Sequence, residues 1–127
     1  SGHMVKLLVR SPERIRNALS PFGVADQVVH VTGDVTDRSS VARSMEGVDA
    51  VIHCASIYSM DPRMDSRIRA TNVKGTEIVL GLAQERGLDP IIHVSSFGAL
   101  LGEKNSSTLV IVISSTSNVV NVASLAR

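Results

Sequence analysis

Short aliphatic runs and stretches with helical spacing alternate along this chain, with polar or glycine-bearing junctions between them. Val5–Val9 is the first run and predicts a buried strand. Ser11-Pro12-Glu13 follows as a cap residue, a proline at the first helical position and an acid in the first turn, and Ile15, Ala18 and Leu19 supply one apolar stripe. Val28–Val31 predicts a second strand. Gly33-Asp34-Val35-Thr36-Asp37 then leads into a helix carrying Val41, Ala42 and Met45 on one face and stopped by Gly47. Ala50–Cys54 predicts a third strand, and a loop with Pro62 precedes the longest helix, 66–86, which Gly87 ends. Ile91–Val94 is a fourth strand, and residues 97–107, glycine-bearing and polar, read as a linker. Leu109–Ile113 is a fifth strand, followed by a turn of small residues and a helix-like stretch to Arg127. Regular alternation of this kind predicts an α/β domain, a mainly parallel five-stranded sheet with helices on both faces.

The chain's 127 residues are enough for one domain and one core. With only Phe22, Tyr58 and Phe97 aromatic, that core must come from Val, Ile, Leu and Ala. A formal net charge of +1, without a basic face, argues against a nucleic-acid partner, and no apolar run reaches the roughly 18 residues of a membrane span. Lone Cys54 excludes an internal disulfide and fits a reducing cytoplasm. Its apolar flank predicts a packed core thiol. Residues 1–4, Ser-Gly-His-Met, read as a cloning scar, which leaves 5–127 as the domain. His53 and His93 lie on neighbouring strands without a carboxylate cluster, which favours buried imidazoles over a metal pair.

Four motifs in order resemble the extended short-chain dehydrogenase/reductase family, in its NAD-dependent epimerase/dehydratase-like branch: Gly33–Asp37, Val48–Ser56, Thr71–Thr76 and His93–Ser96. The resemblance covers residues 5–101 and implies a Rossmann-like three-layer fold. It implies an adenine-side contact at Asp34 and Val35, small residues past the cofactor ribose at Cys54 and Ala55, an active-site organiser at Asn72 and the catalytic serine at Ser96. Other readings stay open: Asp34 and Asp37 can simply start a helix, and Asn72 and Ser96 can be structural.

Two family features are absent. No Tyr-x-x-x-Lys pair follows the serine strand; the only tyrosine is Tyr58, upstream, with Pro62 four residues on. The family's Thr-Gly-x-x-Gly-x-x-Gly turn has its counterpart in 113–120, where Ser114, Ser117 and Val120 replace the three glycines. This places a first βα unit at the C-terminus, as in a circular permutation, with residues 108–127 its strand and helix and 97–107 the linker. Strand 109 then lies centrally and parallel, in the order 28, 5, 109, 51, 91. Joining the ends sets Arg10 seventeen positions past Val120, close to the ribose-recognition position, with Ser11 beside it. An arginine there suits a 2′-phosphate. The resulting expectation is a catalytically silent domain, rearranged or engineered from an NAD(P)-dependent parent, with no tight cofactor and at most weak NADP binding through Arg10, Ser11, Asp34, Val35, Cys54, Ala55, Ser114 and Ser117. Two alternatives stand beside it: a weak NADP-binding module or residual oxidoreductase, and a domain that self-associates as a homodimer through an open sheet edge.

Overall fold

The computed structural model describes residues 2–94, 109–110 and 123–124. The chain forms two compact units, one from Ser1–Val48 with Ala55–Leu82, the other from Asp49–Cys54 with Ala83–Arg127.

In the first unit, β1 (Lys6–Val9) and β2 (Val29–Thr32) pair in parallel, Lys6 opposite Val29 and Val9 opposite Thr32. Parallel neighbours need a crossover, and α1 (Glu13–Leu19) provides it, burying Ile15 as its apolar stripe predicts. Ser11 does not cap α1. Its hydroxyl donates instead to the Glu13 carboxylate at 2.9 Å. Helix α2 (Arg38–Ser44) buries Ser40 and Val41, and Met45 just beyond is also buried. Asp37 caps it, accepting from the Ser39 and Ser40 amides at 3.1 Å each and from the Ser40 hydroxyl. At the other end of α2, the Lys6 ammonium donates to the carbonyls of Arg43 (3.2 Å) and Glu46 (2.9 Å), where helix carbonyls lack partners.

The long helix is continuous but not uniform. A 3₁₀ turn, Pro62–Met64, leads into α3 (Asp65–Arg69), one π-helical turn (Ala70–Lys74) and α4 (Gly75–Glu85). Asp61 caps the 3₁₀ turn through the Arg63 amide and also pairs with the Arg63 guanidinium at 2.7 Å. Val79 and Leu82 are the buried hydrophobic side chains of α4 in this unit. A helix over 66–86 was legible; the π-turn was not, because spacing of apolar residues does not report one inserted backbone residue.

In the second unit, β3 (Val51–His53) pairs in parallel with β4 (Ile91–His93), as the order 51, 91 predicts. His53 faces His93 in register, their rings stacked at 5.2 Å between centroids and 19° between planes. Cys54, expected in the core, is exposed: it lies one residue past the end of β3.

The fifth strand departs from expectation. Leu109–Val110 (β5) pairs antiparallel with Ala123–Ser124 (β6), residues expected in a helix. The described strands thus make two parallel pairs and one antiparallel pair, not one five-stranded sheet. The physical reason is local. Leu109–Val110 and Ala123–Ser124 are close in sequence, so pairing them loses little chain entropy. The 97–107 linker and the remainder of 111–127 lie outside the described residues.

Candidate functional site

Arg10 directly follows β1 and Gly33 directly follows β2, so both stand at the carboxyl ends of parallel strands, where ligands of open α/β sheets bind. There they line a cleft of about 130 Å³ together with Asp34, Val35 and Leu8. Ala55, Ser56 and Ile57 form a second wall, and Thr71 of the π-turn completes it.

The wall at 33–36 is fixed by its own hydrogen bonds. Gly33 N–H donates to Val9 O at 2.9 Å, carrying the chain straight off the ladder. One Asp34 carboxylate oxygen accepts from the Thr36 amide at 2.9 Å and the Thr36 hydroxyl at 2.8 Å. Both donors, the amide first, hold the carboxyl below the usual carboxylate range, and the positive charge of Arg10 adds to the effect. Asp34 is therefore an anion at neutral pH with a cation nearby, part-buried at the cleft. Asp37 is also held low, first by the Ser40 hydroxyl and then by the Ser39 amide. The two acids thus separate in role: Asp37 starts the helix, whereas Asp34 belongs to the cleft.

Asn72 ties the opposite wall down. Its side-chain carbonyl accepts from the Ile57 amide, and its amide donates back to Ile57 O, each at 2.8 Å. Both ends of the side chain are engaged by one backbone residue, so Asn72 organises the 55–57 loop.

Of the residues singled out from sequence, the structure brings Arg10, Asp34, Val35 and Ala55 to one cleft and sets Asn72 behind it. Ser11 and Cys54 do not line it. Ser96, Ser114 and Ser117 lie outside the described residues. Leu8, Gly33, Ser56, Ile57 and Thr71 also line it. Ser56 and Thr71 sit inside the motifs already noted, which was the available signal; Ile57 gives none until the Asn72 contact is seen.

His53 is buried and its imidazole titrates below the usual 6.5, first because burial penalises the cation and then because His93 lies against it. Nδ1 of His93 is buried without a hydrogen-bond partner. No group of three or more potential metal ligands occurs among the described residues. No helix among them is long and apolar enough to cross a membrane.

A cleft at the carboxyl ends of parallel strands, lined by an anchored aspartate and an arginine, fits an extended short-chain dehydrogenase/reductase Rossmann domain. Known proteins agree. The model of the 3-beta hydroxysteroid dehydrogenase/isomerase family matches residues 5–121, and the chain belongs to that family. It is 30% identical over 110 residues to the 3 beta-hydroxysteroid dehydrogenase/Delta 5→4-isomerase of Mycobacterium tuberculosis, covering 82% of this chain and 28% of that protein. It is 29% identical over 104 residues to sterol demethylase protein B of Methylococcus capsulatus, covering 78% and 32%. A dTDP-glucose 4,6-dehydratase from Streptomyces venezuelae, solved with NAD bound, superposes with a TM-score of 0.60 at 29% identity, covering 76% of this chain and 31% of that one. The chain thus spans about a third of the length of these relatives.

Proposed function

We propose that this chain is a recognition element for the adenosine end of NADP, related to NAD(P)-dependent reductases and without turnover of its own. The observation that carries the reading is the meeting of Arg10, Asp34 and Val35 on one cleft. A guanidinium is suited to a ribose 2′-phosphate, a carboxylate accepts amine and hydroxyl donors, and a valine offers a flat base an apolar face. These residues fit the adenosine end. Were 114–120 the displaced phosphate-binding turn, Ser114, Ser117 and Val120 in place of its glycines would keep pyrophosphate off the backbone, and binding would be weak.

Absence of turnover is supported by the tyrosine count. Tyr58 is the only tyrosine, it is 82% exposed, and its hydroxyl donates to Met60 Sδ at 2.7 Å. Proton transfer by a positioned group contributes roughly 10²–10⁴-fold, and Tyr58, exposed and bonded to Met60, is not placed to supply it. The adenosine reading does not require 108–127 to be a displaced first βα unit. The antiparallel pairing of Leu109–Val110 and the unbroken family match over 5–121 both weigh against that displacement.

Calorimetric titration with adenosine 2′,5′-bisphosphate and adenosine 5′-monophosphate tests the reading. The 2′-phosphorylated ligand should bind about tenfold more tightly, and Arg10→Ala should erase the difference. Equal binding of the two ligands refutes the 2′-phosphate assignment. Steady NADPH oxidation that disappears in Ser96→Ala refutes the absence of turnover.

A further inference from the structure

Gly75, the first residue of α4, is glycine without a backbone reason. Its φ of −61° and ψ of −45° are ordinary helical angles, at which alanine is the better residue. Its surroundings supply the reason. A Cβ added there would stand 2.8 Å from Cγ2 of Val35, 3.3 Å from Val35 Cβ and 3.8 Å from its carbonyl carbon. Rotating the valine about χ1 could relieve the first contact but not the second, since Cβ moves only with the backbone. Val35 is also β-branched and stiff at χ1. A methyl at 75 therefore displaces the Val35 segment itself.

Val35 lines the cleft. Three residues before Gly75, Asn72 clamps Ile57 of the facing wall. A single stretch of helix, 71–75, thus touches both walls, and it overlaps the π-turn, a feature that recurs at functional sites. We infer that Gly75 is a positioning residue: its missing side chain sets where Val35 stands against a bound base. This rests on the adenosine reading of the cleft.

Gly81 of the same helix provides the control, because a Cβ there would meet nothing within 4 Å. Gly75→Ala should weaken adenosine 2′,5′-bisphosphate by about tenfold, as overpacking of a built contact would. Gly81→Ala should leave affinity unchanged. In a Val35→Ala background the Gly75→Ala penalty should shrink, because the 2.8 Å contact with Cγ2 is gone and only the 3.3 Å contact with Cβ remains. Equal affinity of Gly75→Ala and Gly81→Ala, or an unreduced penalty in the Val35→Ala background, overturns the inference. If the parent chain does not bind the nucleotide, the adenosine reading falls, and the Val35 methyl and amide resonances decide on Gly75. Their displacement in Gly75→Ala but not in Gly81→Ala sustains its role; unmoved resonances end it.

Discussion

Asn72→Asp exchanges one atom at the clamp on Ile57 and gives a result whose sign depends on pH. The oxygen that accepts from the Ile57 amide at 2.8 Å is retained, while the donor that reaches Ile57 O at 2.8 Å becomes a second carboxylate oxygen facing a carbonyl. One hydrogen bond is lost and a part-buried acceptor is left facing another acceptor, together worth about 2 kcal/mol. For a chain of this size that lowers Tm by roughly 8 °C at pH 7. The carbonyl disfavours the introduced carboxylate, so its folded pKa lies above the unfolded value of about 3.9. The destabilisation therefore grows as pH rises from the unfolded value through the folded one. In acid the neutral carboxyl can donate to Ile57 O, and the deficit shrinks. Asp34 and Asp37 are held low and lose their own stabilising contribution in acid in both chains, so the quantity to read is the difference from the parent at each pH. Melts followed by circular dichroism at pH 7 and pH 4, with Asn72→Ala as the pH-independent control, supply it. A deficit equal at both pH values, or an Asn72→Ala variant as stable as the parent, would refute the clamp.

The histidine stack has a pH signature of its own. His53 titrates below 6.5 in the fold, so stability is full above that value and declines as pH falls from 6.5 towards the folded pKa, where the unfolded chain takes up the proton first. His53→Phe should flatten this part of the Tm profile, and an unchanged slope would assign it to another group. Gly33→Ala would bring a Cβ to 2.3 Å from both Cβ and Oγ of Ser40 and 3.2 Å from Leu8 Cδ1. It should cost about 1–3 kcal/mol in denaturant unfolding, and a second substitution, Ser40→Gly, should recover much of it.

Most of the first 94 residues were legible because their signals are local. Aliphatic runs at 5–9 and 91–94 became parallel strands, glycines at 47 and 87 took positive φ of 66° and 65° after their helices, and Asp37 became a cap. Arg10, Asp34 and Val35 meet at one cleft because they follow β1 and β2, and parallel strands deliver such residues to one end. What failed depended on competition between partners that sequence does not rank. Ser11 chose Glu13 over the helix amides. Ala123–Ser124 paired with Leu109–Val110, although small and apolar residues at that spacing suit a helix equally well. Cys54 has apolar neighbours in sequence but lies past the end of β3, where alternation no longer says which way a side chain faces.

The contacts at the two ends of α2 make that helix a strut of fixed length. Lys6 grips its carboxyl end from β1, and the close approach of Gly33 to Ser40 fixes its amino end beside the cleft. One residue inserted into α2 would lengthen it by about 1.5 Å and turn everything beyond by about 100°, breaking the grip at one end or the fit at the other. The 20–28 connection is held by bonds within itself, Gly23 N–H to Ser20 O and Gln27 N–H to Val24 O. Natural variation in length within this half of the domain should therefore gather between α1 and β2 and spare α2, a pattern of gaps set by mechanics rather than by chemistry at the cleft.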